Sequence, residues 1–181
     1  MKAIAAVDRN FAIGRGGELL FHLKGDMAHF KEQTIGGIVI MGRKTLESLP
    51  GGRPLPGRHT LVLSRSMEKG LWVRSKGGKR WLFGVFQTPQ ELKDFLDLPQ
   101  DGPVPDDPRP VFVCGGEQIY RQFLPCCSEL LLTEVDAKVE GADAFFPDIR
   151  ESGEWQRIEG ERKEEDGIAY QINRYVRKRG E

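Results

Sequence analysis

A chain of 181 residues with 39% hydrophobic and 30% charged side chains predicts one domain with a sizeable core, residues 1–181, and excludes disordered, collagen-like and membrane-embedded classes. A formal net charge of zero removes the electrostatic ground for a nucleic-acid or membrane-surface partner. Three cysteines, two of them adjacent as Cys126-Cys127, and three scattered histidines, His22, His29 and His59, make neither a disulfide framework nor a metal site.

The first apolar run, Ile4-Ala5-Ala6-Val7, is too short for a signal peptide and suits a first strand, so the expected address is the cytosol. Residues 26–33 read as a helix with Met27 and Phe30 at i and i+3. Further apolar runs bounded by glycine or polar residues follow at Ile38 to Met41, Leu61 to Leu63, Val111 to Cys114 and Leu130 to Leu132, the pattern of strands buried on both faces. Thr88-Pro89-Gln90-Glu91 is a capping box that opens a helix over Leu92, Phe95 and Leu96, and Glu117 to Leu124 is a helix stopped by Pro125. Ser75 to Phe86 reads as an inserted hairpin, and Pro99 to Pro108 as a surface loop without periodicity. At the C-terminus, Trp155 to Glu161 and Ile168 to Val176 form an antiparallel hairpin across a charged turn, Arg162 to Gly167. Strands alternating with helices give an α/β fold with a mainly parallel sheet.

Charge is unevenly distributed. Residues 1–80 carry 15 Lys and Arg against 6 Asp and Glu, and residues 81–181 carry 12 against 21. The cationic half holds most candidate site residues, which suits a ligand with phosphates or carboxylates.

Three constellations carry chemistry. Asp26 lies in the first turn of a helix, where an acid ordinarily answers the helix dipole. Phe21, Met27 and Phe30 surround it with apolar surface and Lys31 follows; burial there raises a carboxylate pKa. Gly42-Arg43-Lys44-Thr45 follows a strand and opens a helix, so it is either a phosphate cradle or an ordinary basic turn. Cys114-Gly115-Gly116-Glu117-Gln118-Ile119-Tyr120 repeats the arrangement; its Gly pair alone is equally a packing device, but two such turns in one parallel sheet fit a dinucleotide better than a single phosphate. Arg58, after Gly52-Arg53-Pro54-Leu55-Pro56-Gly57, is either a bidentate partner for a carboxylate or a surface arginine, and spacing does not decide.

Taken in order, these segments resemble dihydrofolate reductase, from Ile4-Ala5-Ala6, Ile13-Gly14 and Asp26 to Lys31, through Val39 to Ser48, Arg53 to Arg58 and Gly115 to Tyr120, to Leu132-Thr133. The match covers nearly the whole chain except about residues 75–110. It implies a single α/β domain with a mainly parallel central sheet of about eight strands, a C-terminal antiparallel hairpin and helices on both faces. It further implies hydride transfer from NADPH to C6 of 7,8-dihydrofolate, giving tetrahydrofolate, by a monomer that needs no metal.

By the same resemblance, Asp26 bonds the 2-amino group and N3 of the pteridine and Thr133 bonds Asp26. Ile4 and Cys114 offer backbone carbonyls, with Ala5 alongside. Phe30, Met27, Leu49 and Leu55 hold the ring and the aminobenzoyl group, Lys31 lies beside them, and Arg58 binds the glutamate α-carboxylate. Ala6, Ile13 and Gly14 meet the nicotinamide, with Tyr120 near it. Gly116, Glu117, Gln118 and Ile119 take the pyrophosphate with Gly42, Lys44 and Thr45, while Arg43, Leu63, Ser64 and Arg65 surround the 2′-phosphate. The Gly115-Gly116 peptide is cis in this family. If Asp26 holds one ring edge, a water delivers the N5 proton and Asp26 tunes the ring. Two departures stand out: Leu20-Phe21 replaces the usual Pro-Trp, so Phe21 lacks an indole N–H to hold a water, and Leu23-Lys24-Gly25-Asp26 replaces the usual proline before the helix.

Two other functions remain open to these residues: a riboflavin-pathway reductase with the same fold and NADPH chemistry, and a non-catalytic nucleotide or pterin-binding module. Asp26 with Phe30 and Arg58 favours a pterin bearing a glutamate tail.

Overall fold

Branched apolar runs in this sequence become the middle strands of a ten-stranded sheet in the computed structural model, which describes residues 1–97 and 109–178. The strands are β1 (Lys2–Val7), β2 (Ala12–Arg15), β3 (Glu18–Leu19), β4 (Ile38–Gly42), β5 (His59–Leu63), β6 (Gly70–Lys76), β7 (Lys79–Phe86), β8 (Val111–Val113), β9 (Glu129–Val135), β10 (Ala144–Phe145), β11 (Trp155–Ile158), β12 (Arg162–Glu165) and β13 (Ile168–Arg177). The helices are α1 (Lys24–Thr34), α2 (Arg43–Ser48), α3 (Pro89–Asp97) and α4 (Glu117–Phe123). The large sheet runs β11-β13-β9-β1-β8-β4-β5-β7-β6 with β12 also on β13, and β10-β2-β3 form a small second sheet.

From β9 through β7 every neighbouring pair is parallel. Parallel strands need crossover helices, and helices on both faces bury both sets of alternating side chains. Ile40, Leu61 and Val113 pack with Leu92 of α3 and Phe123 of α4. Their neighbours Val39, Val62 and Phe112 pack the other way, with Leu46 of α2 and Phe30 of α1. Each such side chain taken fully from water contributes roughly 1.5–3 kcal/mol. The Thr88 capping box forms, with Thr88 Oγ1 accepting from Glu91 N at 3.2 Å and Glu91 Oε2 accepting from Thr88 N at 3.3 Å.

The fold differs from the sequence expectation at the two ends of the sheet. The insertion is a hairpin, but it begins at Gly70, and β6 joins the large sheet as its edge. Gly77 and Gly78, at φ of 57° and 75°, make the turn, the left-handed pair that a two-residue hairpin requires. Arg162 to Glu165, expected as a turn, is β12, in register with β13 from Arg162↔Gln171 to Glu165↔Ile168. The true turn is Asp166-Gly167. A strand with its first three residues exposed gives no apolar alternation to read. Between β11 and β12 the chain passes so close to β13 that a Cβ at Gly160 would lie 1.9 Å from the Ile172 carbonyl oxygen. Residues 99–108, expected as a surface loop, lie outside the described residues. No helix among the described residues is long and apolar enough to cross a membrane.

His59 is a structural histidine. It is 1% exposed, its Nδ1 accepts from Leu82 N at 3.0 Å, and its Nε2 lies 2.7 Å from Arg109 Nη1. Because Nδ1 accepts from Leu82 N, the neutral ring carries its proton on Nε2, and a second proton on Nδ1 would face the Leu82 N–H with no acceptor. Burial, reinforced by the Arg109 charge, lowers the ring pKa from 6.5 to about 4. At this residue the unfolded chain therefore binds more protons between those values, and the contribution of His59 to stability falls as pH drops from about 6.5 to about 4 and is constant below. Urea unfolding of His59→Asn is expected to show a pH dependence over that interval shallower by up to about 3 kcal/mol. Equal slopes in both proteins would remove His59 as the cause.

Candidate active site

Helix α1 carries Asp26 without a side-chain cap of its own: Leu23, at the N-cap position, offers none. Glu165 of β12 supplies the missing acceptor, its Oε1 taking Lys24 N at 2.6 Å and its Oε2 taking Gly25 N at 3.0 Å. These two N–H groups hold the Glu165 carboxyl below its ordinary pKa range. Gly25 is required here, because a Cβ would lie 2.0 Å from the Tyr170 hydroxyl. Phe21, half-buried, packs with Leu23, Val135 and Tyr170 beneath this turn.

Thus fixed, α1 presents a half-buried Asp26 to β9, where Thr133 Oγ1 donates to Asp26 Oδ1 at 2.5 Å. Burial pushes the Asp26 pKa up, and the Thr133 bond and the nearby His29 only partly offset that. His29, one turn along at i+3, has its own pKa lowered by burial. Ile4, Phe30, Leu49 and Cys114 share one apolar cluster on this face of the sheet. Leu55 is half-buried in the loop after α2, Met27 is 51% exposed on α1, and Lys31 is exposed. The Ile4 carbonyl accepts from the Tyr120 hydroxyl at 2.7 Å, which leaves its second lone pair for another donor.

Arg58 lies farther along the same face. It is 6% exposed, donates from Nε to Thr34 Oγ1 at 2.8 Å and from Nη1 to the Pro56 carbonyl at 2.9 Å, and sits 5.7 Å from the centre of the Phe30 ring. Both acceptors are uncharged. Burial lowers its pKa, yet a guanidinium stays charged at any ordinary pH, so the site holds a buried cation whose bonding partners leave its charge uncompensated.

A third group gathers at the carboxyl ends of β8, β4 and β5, three adjacent strands. Gly42 N donates to the Gly115 carbonyl at 2.8 Å, and the Gly115-Gly116 peptide is cis, as the resemblance implies. Backbone is closely packed here: a Cβ on Gly42 would meet Ile119 at 3.2 Å, and one on Gly116 would meet Thr45 Oγ1 at 3.6 Å. The first turns of α2 and α4 have no side-chain cap. Lys44 and Gln118 are exposed, Thr45 is half-buried, and Arg43 pairs with Glu47 at 2.7 Å. Glu117 is engaged internally, by Arg121 and by Phe145 N at 3.0 Å. Leu63 stands beside Gly42, Ser64 Oγ accepts from Met67 N at 3.1 Å, and Arg65 is exposed just beyond. Ala5 and Ala6 are half-buried on β1, with Ala6 opposite Thr133. Ile13 and Gly14 are buried on β2, which β10 holds while Asp143 Oδ2 accepts from Gly16 N at 2.9 Å.

Two of these contributors escaped sequence reasoning. Glu165 fell in the segment read as a charged turn. His29 was set aside with the scattered histidines, although i, i+3 spacing from Asp26 on a helix was signal enough.

An α/β sheet with backbone glycines at its strand ends on one side, and a shielded carboxylate and an uncompensated arginine along one face, is of the nucleotide-binding type of architecture, with groups chemically suited to a phosphate on one side and to a carboxylate on the other. The dihydrofolate reductase family profile matches residues 1–177, and the chain belongs to that family. It is 37% identical over 177 residues to the dihydrofolate reductase of Neisseria gonorrhoeae, covering 97% of this chain and 96% of that protein. It is 33% identical over 178 residues to that of Bacillus subtilis strain 168, covering 97% and 93%. It is 36% identical over 156 residues to the type 3 dihydrofolate reductase of Salmonella typhimurium, covering 86% and 83%.

The Thr133 hydroxyl lowers the Asp26 pKa against the effect of burial. In Thr133→Val, carboxyl-carbon NMR titration is therefore expected to place Asp26 higher still. An unmoved titration would show that this hydroxyl does not set it.

Proposed function

We propose that this chain reduces 7,8-dihydrofolate to tetrahydrofolate with NADPH as the hydride donor. The observation that carries this reading is the pairing, along one sheet face, of half-buried Asp26 with buried Arg58, whose bonding partners are neutral. A pterin with an acidic tail answers both. Its amino-pyrimidine edge offers N–H donors to Asp26, and its carboxylate neutralises Arg58 through a charge-assisted bond. Phe30 and Leu49, which share one apolar cluster, suit the stretch between them, and this reading assigns Leu55 and Met27 to its rim.

The cofactor side fits a dinucleotide. Glycine at 42, 115 and 116 admits a ligand close to backbone, and the uncapped first turns of α2 and α4 leave N–H groups for a diphosphate. Lys44 and Thr45 add donors to it, Arg43, Ser64 and Arg65 favour a 2′-phosphate, and Ala6 and Ile13 offer backbone bonds to the carboxamide. NADPH supplies the hydride that reaches C6 of the pterin. Asp26 orients the ring and, with its raised pKa, polarises it at the edge it binds. N5 lies on the other edge, so a water brings its proton. One chain contributes every residue named, so a monomer suffices.

Asp26→Asn is expected to lower turnover at pH 7 by on the order of 10² or more, measured as loss of NADPH absorbance on mixing with dihydrofolate. Near-normal turnover would remove Asp26 from the mechanism. Because burial raises its pKa above 3.8, ionising Asp26 costs the folded state as pH rises through that range. The same variant should therefore melt above wild type at pH 7, with the difference closing towards about pH 3.

Removing two charge-assisted bonds in Arg43→Ala/Arg65→Ala is expected to reduce an NADPH-over-NADH preference of roughly 10² towards unity. Steady-state kcat/KM with each cofactor checks it, and an unaltered ratio would place the 2′-phosphate elsewhere.

A further inference from the structure

The β6–β7 hairpin has no part in the reading above, yet its composition is unusual. Residues 70–90 contain no Asp or Glu. Lys69 pairs with Glu91 at 2.7 Å, whereas Arg74, Lys76, Lys79 and Arg80 are exposed and have no carboxylate partner among the described residues. Four uncompensated cations on one ribbon repel each other and destabilise it unless something anionic meets them.

Register shows which way they face. Phe83 lies opposite Thr60 of β5 and opposite Trp72 of β6, and it packs with the apolar cluster that includes Phe30 and Leu49. Counting back by twos, Trp81 and Lys79 share that face, and so do their cross-strand partners Arg74 and Lys76. Arg58, two residues before Thr60, bonds Thr34 Oγ1 and lies near the Phe30 ring on the same side. In sheet order β9-β1-β8-β4-β5-β7-β6, the groups along this face are Asp26 against β9, Arg58 at the start of β5, Lys79 and Trp81 on β7, and Arg74 and Lys76 on β6. A pterin bound from Asp26 to Arg58 therefore points its acidic end at the hairpin. From β5 to β6 is two strand spacings, about 10 Å, which two or three extended residue units span.

We infer that the hairpin extends the substrate site and holds a chain of further glutamates joined to the carboxyl end of dihydrofolate beyond Arg58. This rests on the substrate reading given above. Arg74, Lys76 and Lys79 meet successive carboxylates, while Trp72 and Trp81 pack against the methylenes between them.

The test compares dihydrofolate bearing one glutamate with dihydrofolate bearing three more in γ-linkage. At low salt the wild-type KM for the longer form is expected to be about 5- to 10-fold lower, since three exposed pairs each contribute little. The difference should shrink at about 0.5 M salt. Arg74→Gln/Lys76→Gln/Lys79→Gln should bring the two KM values within about twofold while leaving kinetics on the short form unchanged, and Lys76→Arg/Lys79→Arg should keep the preference. Equal KM values in wild type, or a preference that survives the triple variant, overturn the proposal while the substrate reading stands. Absence of turnover with either form overturns both. A hairpin serving nucleic acid would leave the KM values equal while retarding a single-stranded oligonucleotide, and that result also overturns the proposal.

Discussion

A carboxylate drawn partly out of water and held there by a hydroxyl on another element is the constraint around which this structure is arranged. Burial alone would favour the protonated form of Asp26, and the Thr133 hydroxyl at 2.5 Å partly restores the charged one. That balance needs α1 to stay pressed against β9. An isolated helix of 11 residues is marginal in water, and this one has no N-terminal side-chain cap. Its position therefore comes from tertiary contacts: Glu165 on its first two N–H groups, Tyr170 under Gly25, and Phe30 in the apolar cluster behind.

This accounts for a departure that sequence alone left unexplained. By the family resemblance, proline is usual just before the helix acid, where this chain has Lys24-Gly25. Proline has no N–H, and the Lys24 N–H donates to Glu165 at 2.6 Å. The N–H that Lys24 keeps is thus one of the two that Glu165 on β12 caps.

Much of the parallel core was legible because its signal is local. Val39, Ile40, Leu61, Val62 and Val113 are all 0% exposed, and a run buried on both faces reads as uninterrupted apolar sequence. The Thr88 box and the Pro125 stop are equally local. The acid, the arginine and the glycine turns were visible as residue types, but their choice between chemical and bland readings depended on distant neighbours. Arg58 looks like any arginine in a Pro/Gly turn until Thr34 and Phe30 enclose it. β12 and the early start of β6 were illegible for the opposite reason: edge strands facing water on both sides carry no periodic pattern.

The zero net charge conceals a segregation that the fold turns into geometry. Several carboxylates of the second half of the sequence are engaged near the β9–β13 end of the sheet, where Glu129 meets Lys2 and Arg174, Glu134 meets Arg157, and Asp136 meets Arg9 and Arg162. Surface pairs of this kind contribute little stability each. They do cancel charge locally, whereas a group of cations at the opposite end of the sheet keeps its charge. There Arg58, Arg65 and the hairpin residues remain without an internal carboxylate among the described residues. The charges sum to zero, yet those along this face form a gradient, from the Asp26 carboxylate through Arg58 to Arg74, Lys76 and Lys79 on the hairpin. A ligand with an uncharged, hydrogen-bonding head and an anionic tail is oriented by that gradient before it makes any contact.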